Sequence, residues 1–281
     1  MPFKNNICIE LSHPEYVPIV KENSIYYGGS QMWFSDKPRY SKDYILHNYG
    51  CGTIATADLF LYLALQKKSY RTAVTALAMN EDEIRYTDYL SYLRTIHDKY
   101  TKTLPVLAVL GPAIASAINS YSNNFGLGYK AVWKLTLNYY DMYDLIEEML
   151  WKDLPVILSI GPNTPKLWGK KGVPFYELKE IDYQESYETP SVERSELDTQ
   201  DPEEIPKVIS KPYYYQAVKQ HVNGHYVTVT ALIKDEVTGR IMLRISSWGK
   251  QYYINYEEYR DYIESVGGTF TSSIVYVKEN Y

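Results

Sequence analysis

Apolar positions recur at helical spacing through most of the first half of the chain. Residues 51–65 are apolar on nearly every side, a pattern that predicts a buried central helix. Asn80 and Glu83 have the spacing of a capping box and predict a helix whose apolar face continues to about position 96. A third helix is predicted to begin at Pro112, since proline is favoured in a first helical turn, and to end near 123–126.

The second half of the chain favours strands, with two further helices among them. Alternating apolar positions predict a half-buried strand over 131–137, and the apolar run 154–160 predicts a buried strand. The runs 225–233 and 241–248 flank a turn-forming segment with Gly239 and predict an antiparallel hairpin. Helices are expected over 142–150 and 256–266, and a last strand over 271–277. Helices first and antiparallel strands later predict an α+β fold.

The composition is that of an ordinary globular protein, with 45% apolar and 22% charged residues among 281. The net charge of −5 gives no sign of a basic face for a phosphate backbone, so no nucleic-acid partner is expected. The most apolar stretch, 104–118, is interrupted by Pro105 and Pro112 and is shorter than a membrane span. Residues 1–6 lack a signal-peptide pattern. We therefore expect a cytoplasmic protein with no membrane partner.

An acidic segment lies in the second half of the chain. Between Glu177 and Glu204 there are eleven acidic residues and two basic ones, together with Pro190 and Pro202. This composition buries little apolar surface, and it predicts a surface excursion over about 161–212 that acts as a mobile flap or autoinhibitory segment. No repeat or linker divides the rest, so residues 1–281 are expected to form a single domain.

Cysteine chemistry is the strongest functional signal in the sequence. The chain has two cysteines, too few for a disulfide framework, and Cys8 lies in an apolar, strand-like run. Cys51 opens the predicted central helix. At a helix N-terminus the dipole and the free amides stabilise a thiolate, so the pKa of this thiol is expected to be lowered. Cys51 is therefore the candidate nucleophile.

A nucleophilic thiol also needs a base, and the base needs a group that orients its ring. His225 follows Asn223-Gly224 and begins a predicted strand, which places its imidazole at the rim of a sheet. The other four histidines lie in less suitable settings, namely His13, His47, His97 and His221. We therefore take His225 as the candidate base.

Three motifs follow one another along the chain. They are Gly50-Cys51-Gly52 at the start of a long buried helix, His225 at the start of an antiparallel strand, and Ser246-Ser247-Trp248-Gly249 at the end of the next strand. This arrangement resembles the papain-like cysteine peptidase superfamily, whose corresponding strand ends Asn-Ser-Trp-Gly. The helix and strand within 145–160 make the chain look closer still to the bacterial branch related to bacteriocin-leader-processing (double-glycine) peptidases. The resemblance covers about residues 48–277.

The resemblance implies an N-terminal helical half, with the Cys-bearing helix at its centre, packed on a C-terminal antiparallel sheet. It implies that Cys51 is the nucleophile, that His225 is the general base and acid, and that Trp248 shields the third catalytic member. That member is Asn or Asp in the family, whereas the matching residue here is Ser246. Gly50 and Gly224, which precede the catalytic pair, are expected to line the cleft with Trp248.

The chain departs from the family at the oxyanion donor. The family's glutamine lies about six residues before the cysteine, where this chain has Ile45. Asn48 is the nearest amide and has the chemistry to stabilise an oxyanion, although capping a helix or shaping the turn is an equally good role for it. Asp58 lies two turns beyond Cys51 in an otherwise apolar helix, and we expect it to belong to a polar core network.

Strand register decides which serine faces His225. A four-residue loop over 236–239 pairs Asp235 with Arg240 and places Ser246 and Trp248 on the face of His225. A three-residue loop would place Ser247 there instead. The family pattern favours the first arrangement, and a β-bulge would alter the count.

The predicted function is a cysteine hydrolase that cleaves a peptide or amide bond through an acyl-enzyme, with a peptide or protein as substrate. One alternative is a catalytically inactive binding module on the same fold, which Ser246, the absent glutamine and the 31 tyrosines favour. Another is an acyl or glutamyl transferase, which differs only in the acceptor. No cofactor is expected. No metal is expected either, because Asn223-Gly224 breaks any helix that would bring His221 and His225 to one zinc ion.

Overall fold

The computed structural model describes residues 6–81, 83–105, 108–161, 169–180 and 213–279. The α-helices in these ranges are α1 (Lys42–Tyr49), α2 (Cys51–Gln66), α3 (Tyr86–Ile96), α4 (Gly111–Phe125), α5 (Tyr139–Trp151) and α6 (Tyr256–Ser265). A π-helical turn, His97–Thr101, extends α3. Four 3-10 turns complete the helical structure, namely Gln31–Trp33, Lys68–Tyr70, Thr75–Leu77 and Gly268–Thr271.

Thirteen strands lie in the described ranges. Those before α4 are β1 (Asn6–Glu10), β2 (Pro18–Lys21), β3 (Ser24–Tyr27), β4 (Met79–Asn80) and β5 (Glu83–Arg85). Those after α4 are β6 (Tyr129–Leu135), β7 (Val156–Ile160), β8 (Val173–Glu180), β9 (Tyr213–Val222), β10 (His225–Asp235), β11 (Ile241–Ser247), β12 (Lys250–Asn255) and β13 (Ser273–Glu279).

The large sheet has nine strands, eight of them in the order β6-β13-β7-β10-β11-β12-β8-β9. All of its strand pairs are antiparallel. One edge of the long strand β10 is shared between two partners, with β7 alongside 225–229 and β1, the ninth strand, alongside 231–235. Together with the helices, this sheet makes the molecule an α+β protein. A smaller sheet of order β3-β2-β5-β4 lies in the first third of the chain.

Helix α2 is the central helix that its apolar pattern predicts. Every residue from Cys51 to Ala64 is buried, and the helix packs against β10, α3 and α4. Leu61 and Tyr62 are fully buried in its second half. Each large apolar side chain removed from water in this way contributes about 1.5 to 3 kcal/mol, so packing on all sides holds the start of α2 in a fixed position.

The expected capping box at Asn80 and Glu83 is wrong. These two residues pair across the short antiparallel strands β4 and β5, and the helix begins only at Tyr86. The side chain of Ile84 is fully buried on β5, so packing of that residue favours the extended conformation. Local capping signals are weak beside such burial.

The acidic excursion was predicted to leave the fold at about residue 161. Instead, residues 173–180 form strand β8, which pairs with β9 at one edge of the large sheet. Phe175 is fully buried there, which explains why this part of the segment stays in the sheet. Residues 181–212, which contain most of the acidic side chains and the predicted flap, lie outside the described residues.

Candidate active site

Cys51 is the first residue of α2, and Gly50 makes that placement possible. Gly50 ends α1 by donating its N–H to the Leu46 carbonyl at 3.0 Å, and its own carbonyl accepts the N–H of Ile54 at 2.9 Å. A side chain at position 50 would collide with the Leu46 carbonyl oxygen. Two helices therefore meet at one glycine, and the thiol of Cys51 lies at the start of the second helix.

Burial outweighs the helix terminus in setting the acidity of this thiol. Cys51 is 8% exposed. Loss of solvent raises its pKa, whereas the backbone N–H groups of Tyr226, Gly52 and Cys51 itself lower the pKa by a smaller amount. The expectation of a lowered thiol pKa is therefore wrong for the closed site, because desolvation disfavours the thiolate more than the amides favour it. The resting side chain is a neutral thiol.

His225 begins β10 immediately after Gly224, which adopts a left-handed conformation with φ +55°. The imidazole is 8% exposed. Burial, together with the positive charge of Lys219, lowers its pKa to about 3. The ring is therefore neutral at physiological pH, so one of its nitrogens is free to accept a proton.

Ser247, not Ser246, faces the imidazole of His225. Nε2 of His225 lies 2.8 Å from Oγ of Ser247, within hydrogen-bond distance. The hydroxyl of Ser246 donates instead to the Tyr27 carbonyl at 2.8 Å and ties β11 to β3. The expectation that Ser246 orients His225 is therefore wrong, and the neighbouring serine occupies that place.

A β-bulge explains this change of face. Near the turn, partners follow the predicted register, with Asp235 donating to the Arg240 carbonyl at 2.9 Å and Ala231 opposite Arg244. The register shifts by one residue at Thr230, after which Thr228 lies opposite Ser246. Because side chains alternate along a strand, one inserted residue turns every following side chain to the other face.

The polar groups of the bulged residue, Thr230, are hydrogen-bonded to three other parts of the chain. The Thr230 carbonyl accepts the Leu11 N–H at 3.1 Å, and its hydroxyl oxygen lies 2.8 Å from the Tyr27 hydroxyl and 3.2 Å from Nε of Arg244. Arg244 is itself largely buried and bonds Glu10 at 2.8 Å. These partners lie far apart in the chain, so the bulge is a tertiary feature.

Trp248 covers one face of the imidazole. The two rings are stacked with centroids 4.3 Å apart and an angle of 15° between their planes. Trp248 has a left-handed backbone with φ 49° in the turn between β11 and β12, and Phe175 packs against the indole at 5.6 Å. The ammonium of Lys219 lies 4.6 Å from the centroid of the Trp248 ring. The indole therefore shields one face of the His225 imidazole.

Cys51 and His225 line one small cavity of about 10 Å³, which is scarcely large enough for a water molecule. Among the described contacts, no hydrogen bond joins the thiol to the imidazole. The cavity is lined by Gly29, Gln31, Cys51, Ile54, Ala55, Asp58, His225, Tyr226, Thr228, Ser246, Ser247 and Trp248.

Asn48 does not reach this cavity. It is exposed on α1, and its amide nitrogen donates to the Tyr44 carbonyl at 2.9 Å. Gln31, in the turn after β3, supplies an amide there instead. Its Nε2 donates one hydrogen to the His47 carbonyl at 2.8 Å, and its buried Oε1 has no hydrogen-bond partner among the described residues. Gln31 lies twenty positions before Cys51, so a search at the family's spacing of about six residues misses it. The preceding pair Gly28-Gly29, which is typical of a turn or of a close approach between backbones, was the available signal.

Asp58 belongs to a polar network, as its place in the apolar helix predicts, and it also lines the cavity. It is 1% exposed, and burial raises its pKa to about 7 against the opposing effect of its hydrogen bonds. Its two carboxylate oxygens accept the Gly29 N–H at 2.9 Å and the Tyr89 hydroxyl at 2.7 Å.

The remaining candidates lie away from the cavity. His47 bonds the Phe34 carbonyl through Nδ1, and His97 bonds Asp98. His221 is exposed on β9. Cys8 is exposed on β1, and partial burial together with the nearby charge of Glu10 raises its pKa. In the described part of the chain, no three His, Cys, Asp or Glu side chains are grouped so that they could hold a metal ion. No helix there has the length and apolar character needed to cross a membrane.

Comparison of the chain with protein-family models gives no match, and comparison with curated proteins gives none either.

Proposed function

We propose that this protein is a papain-like cysteine hydrolase that cleaves a peptide or amide bond through an acyl-enzyme on Cys51. One observation carries the proposal. A thiol at the start of a buried helix shares a cavity with an imidazole that is hydrogen-bonded to Ser247 and stacked on Trp248. Nucleophile, base and orienting group are the three parts that thiol catalysis requires.

The contact with Ser247 favours the His225 tautomer that can act as a base toward Cys51. When Nε2 carries the proton and donates it to the Ser247 hydroxyl oxygen, Nδ1 is left as the acceptor. The thiol proton then moves to Nδ1 as sulfur forms its bond to the substrate carbonyl carbon. Since both groups are neutral at rest, the ion pair forms during the reaction rather than before it.

The negative charge of the tetrahedral intermediate needs donors that are already in place. The Cys51 N–H lies in the first turn of α2 and has no partner within the helix. The Gln31 amide nitrogen keeps a second hydrogen beyond the one given to the His47 carbonyl. These two groups form the proposed oxyanion site.

Collapse of the intermediate completes the cycle. The C–N bond breaks as the His225 imidazolium gives its proton to the departing amine, leaving a thioester on Cys51. Water then attacks the thioester with His225 as the base, and the acid product and the free thiol are released.

A binding module without activity is the second candidate, and the small cavity is the observation that favours it. Substrate entry requires the lining of this cavity to open around Cys51. A module that binds peptide elsewhere on its surface would need no such opening.

The two functions differ in their reaction with p-nitrophenyl acetate, a small activated ester. The hydrolase releases one equivalent of p-nitrophenol in a burst, and the acetyl group is found on Cys51 by mass spectrometry. Cys51→Ala abolishes the burst, whereas Cys8→Ala retains it. A wild-type protein that releases no burst is the result expected of the binding module. Adding glycylglycine and measuring its acetylation separates transfer to an amine from hydrolysis.

A further inference from the structure

Asp58 is a buried carboxyl group in a helix that is otherwise apolar. It lies seven residues, or about two turns, after Cys51, on the side of α2 that lines the cavity. A carboxyl group removed from water is costly unless it is hydrogen-bonded, and Asp58 has two hydrogen-bond partners, Gly29 and Tyr89.

The first partner connects Asp58 to both halves of the site. Gly29 donates its N–H to Oδ2 of Asp58 at 2.9 Å, and the carbonyl of the same Gly29 accepts the Gly249 N–H at 2.9 Å. Gly249 directly follows Trp248, which is stacked on the base. One peptide segment is thus held between the nucleophile helix and the turn that shields His225.

Gln31 lies two residues further along that segment. Ser30 begins its short 3-10 turn by accepting the Met32 N–H at 3.2 Å. Gly28, on the other side, leaves no room for a side chain, because an added Cβ would collide with Oγ of Ser246 and lie close to Oδ2 of Asp58. The position of the Gln31 amide relative to Cys51 therefore depends on a tightly packed anchor at Asp58.

We propose that Asp58 is a positioning residue that holds the Gly28–Gln31 segment, and with it the Gln31 oxyanion donor, in place beside Cys51. This inference rests on the proposed hydrolase function. Asp58 acts through Gln31 and touches no reacting atom. Its second partner, Tyr89, donates to Oδ1 and fixes the carboxylate plane.

The ionisation of Asp58 should make the strength of this anchor depend on pH. Its pKa is about 7, and the ionised carboxylate is the stronger acceptor for the Gly29 N–H. The anchor therefore tightens as pH rises through neutrality. The titratable groups around this carboxyl are Cys51, His225, Tyr16, Tyr89 and Tyr92, and no cation contributes to its pKa.

Two reagents separate positioning from general damage to the fold. Acetylation of Cys51 by p-nitrophenyl acetate passes through an oxyanion, whereas alkylation by iodoacetamide does not. Both need the thiolate, so the ratio of the two rates cancels the thiol pKa. We expect Asp58→Ala and Gln31→Ala each to lower this ratio about ten-fold or more. Asp58→Asn retains the ratio at pH 7, because its amide oxygen accepts from Gly29 and its NH₂ donates to Tyr89.

The dependence of this rate ratio on pH is a second test, and it can be measured even if Asp58→Ala does not fold. In the wild type the ratio rises between about pH 6 and 8, and in Asp58→Asn it is flat. Asp153→Asn is the matched control. Asp153 accepts bonds from Ser12 and from Gln66 at the far end of α2, so its loss weakens the fold and leaves the ratio unchanged.

An unchanged ratio in Asp58→Ala, or a ratio in Asp58→Asn that still rises with pH, overturns the positioning role. Where Asp58→Ala is unfolded and loses both reactions together, the pH profile of Asp58→Asn alone decides: a flat ratio supports the positioning role and a rising ratio overturns it. These results leave the hydrolase proposal intact. A wild-type protein that is not acetylated on Cys51 overturns both proposals together.

Discussion

The imidazole of His225 is hydrogen-bonded through Nε2 to Oγ of Ser247, at 2.8 Å. A serine hydroxyl can accept the Nε2 proton, as the amide oxygen of an asparagine would, and it leaves Nδ1 free to serve as the base. The side chain is shorter, so the strand must bring it closer to the ring. The bulge at Thr230 provides this by turning Ser247 to the face of His225.

Replacing each serine in turn tests that relationship. We expect Ser247→Ala to lower the acetylation rate of Cys51 about ten-fold or more, because the imidazole loses the contact that fixes its tautomer and orientation. Ser246→Ala is the matched control. It removes a bond to the Tyr27 carbonyl and lowers the free energy of unfolding by about 1 to 2 kcal/mol, with the rate changed by less than about two-fold. The opposite pattern of rates would restore Ser246 as the orienting group.

Stability at acid pH tests the burial of His225. Its pKa is lowered from 6.5 to about 3 in the fold, so the unfolded chain binds a proton more readily. The contribution of the neutral ring is complete above pH 6.5 and is lost as pH falls toward 3. Relative to His225→Gln, the wild-type protein should lose about 2 to 3 kcal/mol of unfolding free energy between pH 7 and pH 4.5. Urea titrations at the two pH values measure this difference, and equal losses in both proteins would place the ring in water.

Replacing Lys219 tests the electrostatic environment of His225. Its ammonium lies over the Trp248 ring, and its charge lowers the pKa of His225. We expect Lys219→Met to raise the pKa of His225, as followed by NMR of the imidazole. The ratio of alkylation by iodoacetate to alkylation by iodoacetamide should fall about two-fold, because the anionic reagent loses a nearby cation. Lys250→Met, at an exposed position on β12, is the control. Equal effects of the two substitutions would mean that only net charge matters.

Gly28 tests the packing of the segment that carries Gln31. Its φ is +76°, and a Cβ would collide with Ser246. Gly126 also has a positive φ, +63°, but nothing lies within 4 Å of its added Cβ. Gly126→Ala should therefore lower the free energy of unfolding by only about 1 kcal/mol, the strain of an alanine in a left-handed backbone. Gly28→Ala should lower the free energy of unfolding by about 1 to 3 kcal/mol more than Gly126→Ala, because the crowded Cβ adds overpacking to the backbone strain. Equal losses of unfolding free energy would mean that the segment is loosely packed.

Local patterns predicted the elements of the site but not their alignment. The apolar run after Cys51 indicated a buried helix, and the loop over 236–239 pairs Asp235 with Arg240 as expected. The bulge at Thr230 escaped prediction because it depends on Leu11 and on the buried Arg244. No short-range pattern within β10 contains those partners.

The pKa of Cys51 could likewise not be predicted from the local sequence. A helix start was expected to lower the pKa of Cys51, yet closure of the cavity removes solvent and raises the pKa. Gln31 was missed because its turn reaches Cys51 only through the anchor at Asp58 and the bond to the His47 carbonyl. Burial and long-range hydrogen bonds become visible only in the fold.

If His225 activates Cys51, the rate at which iodoacetamide alkylates Cys51 at pH 7 depends on the imidazole. Peptide mapping follows this rate in the wild type, in His225→Ala and in the exposed control His221→Ala. We expect His225→Ala to lower the rate about 100-fold, because the thiol loses the base that takes its proton, and His221→Ala to leave it unchanged. Equal rates in all three proteins would contradict the assignment of Cys51 and His225 as a catalytic pair.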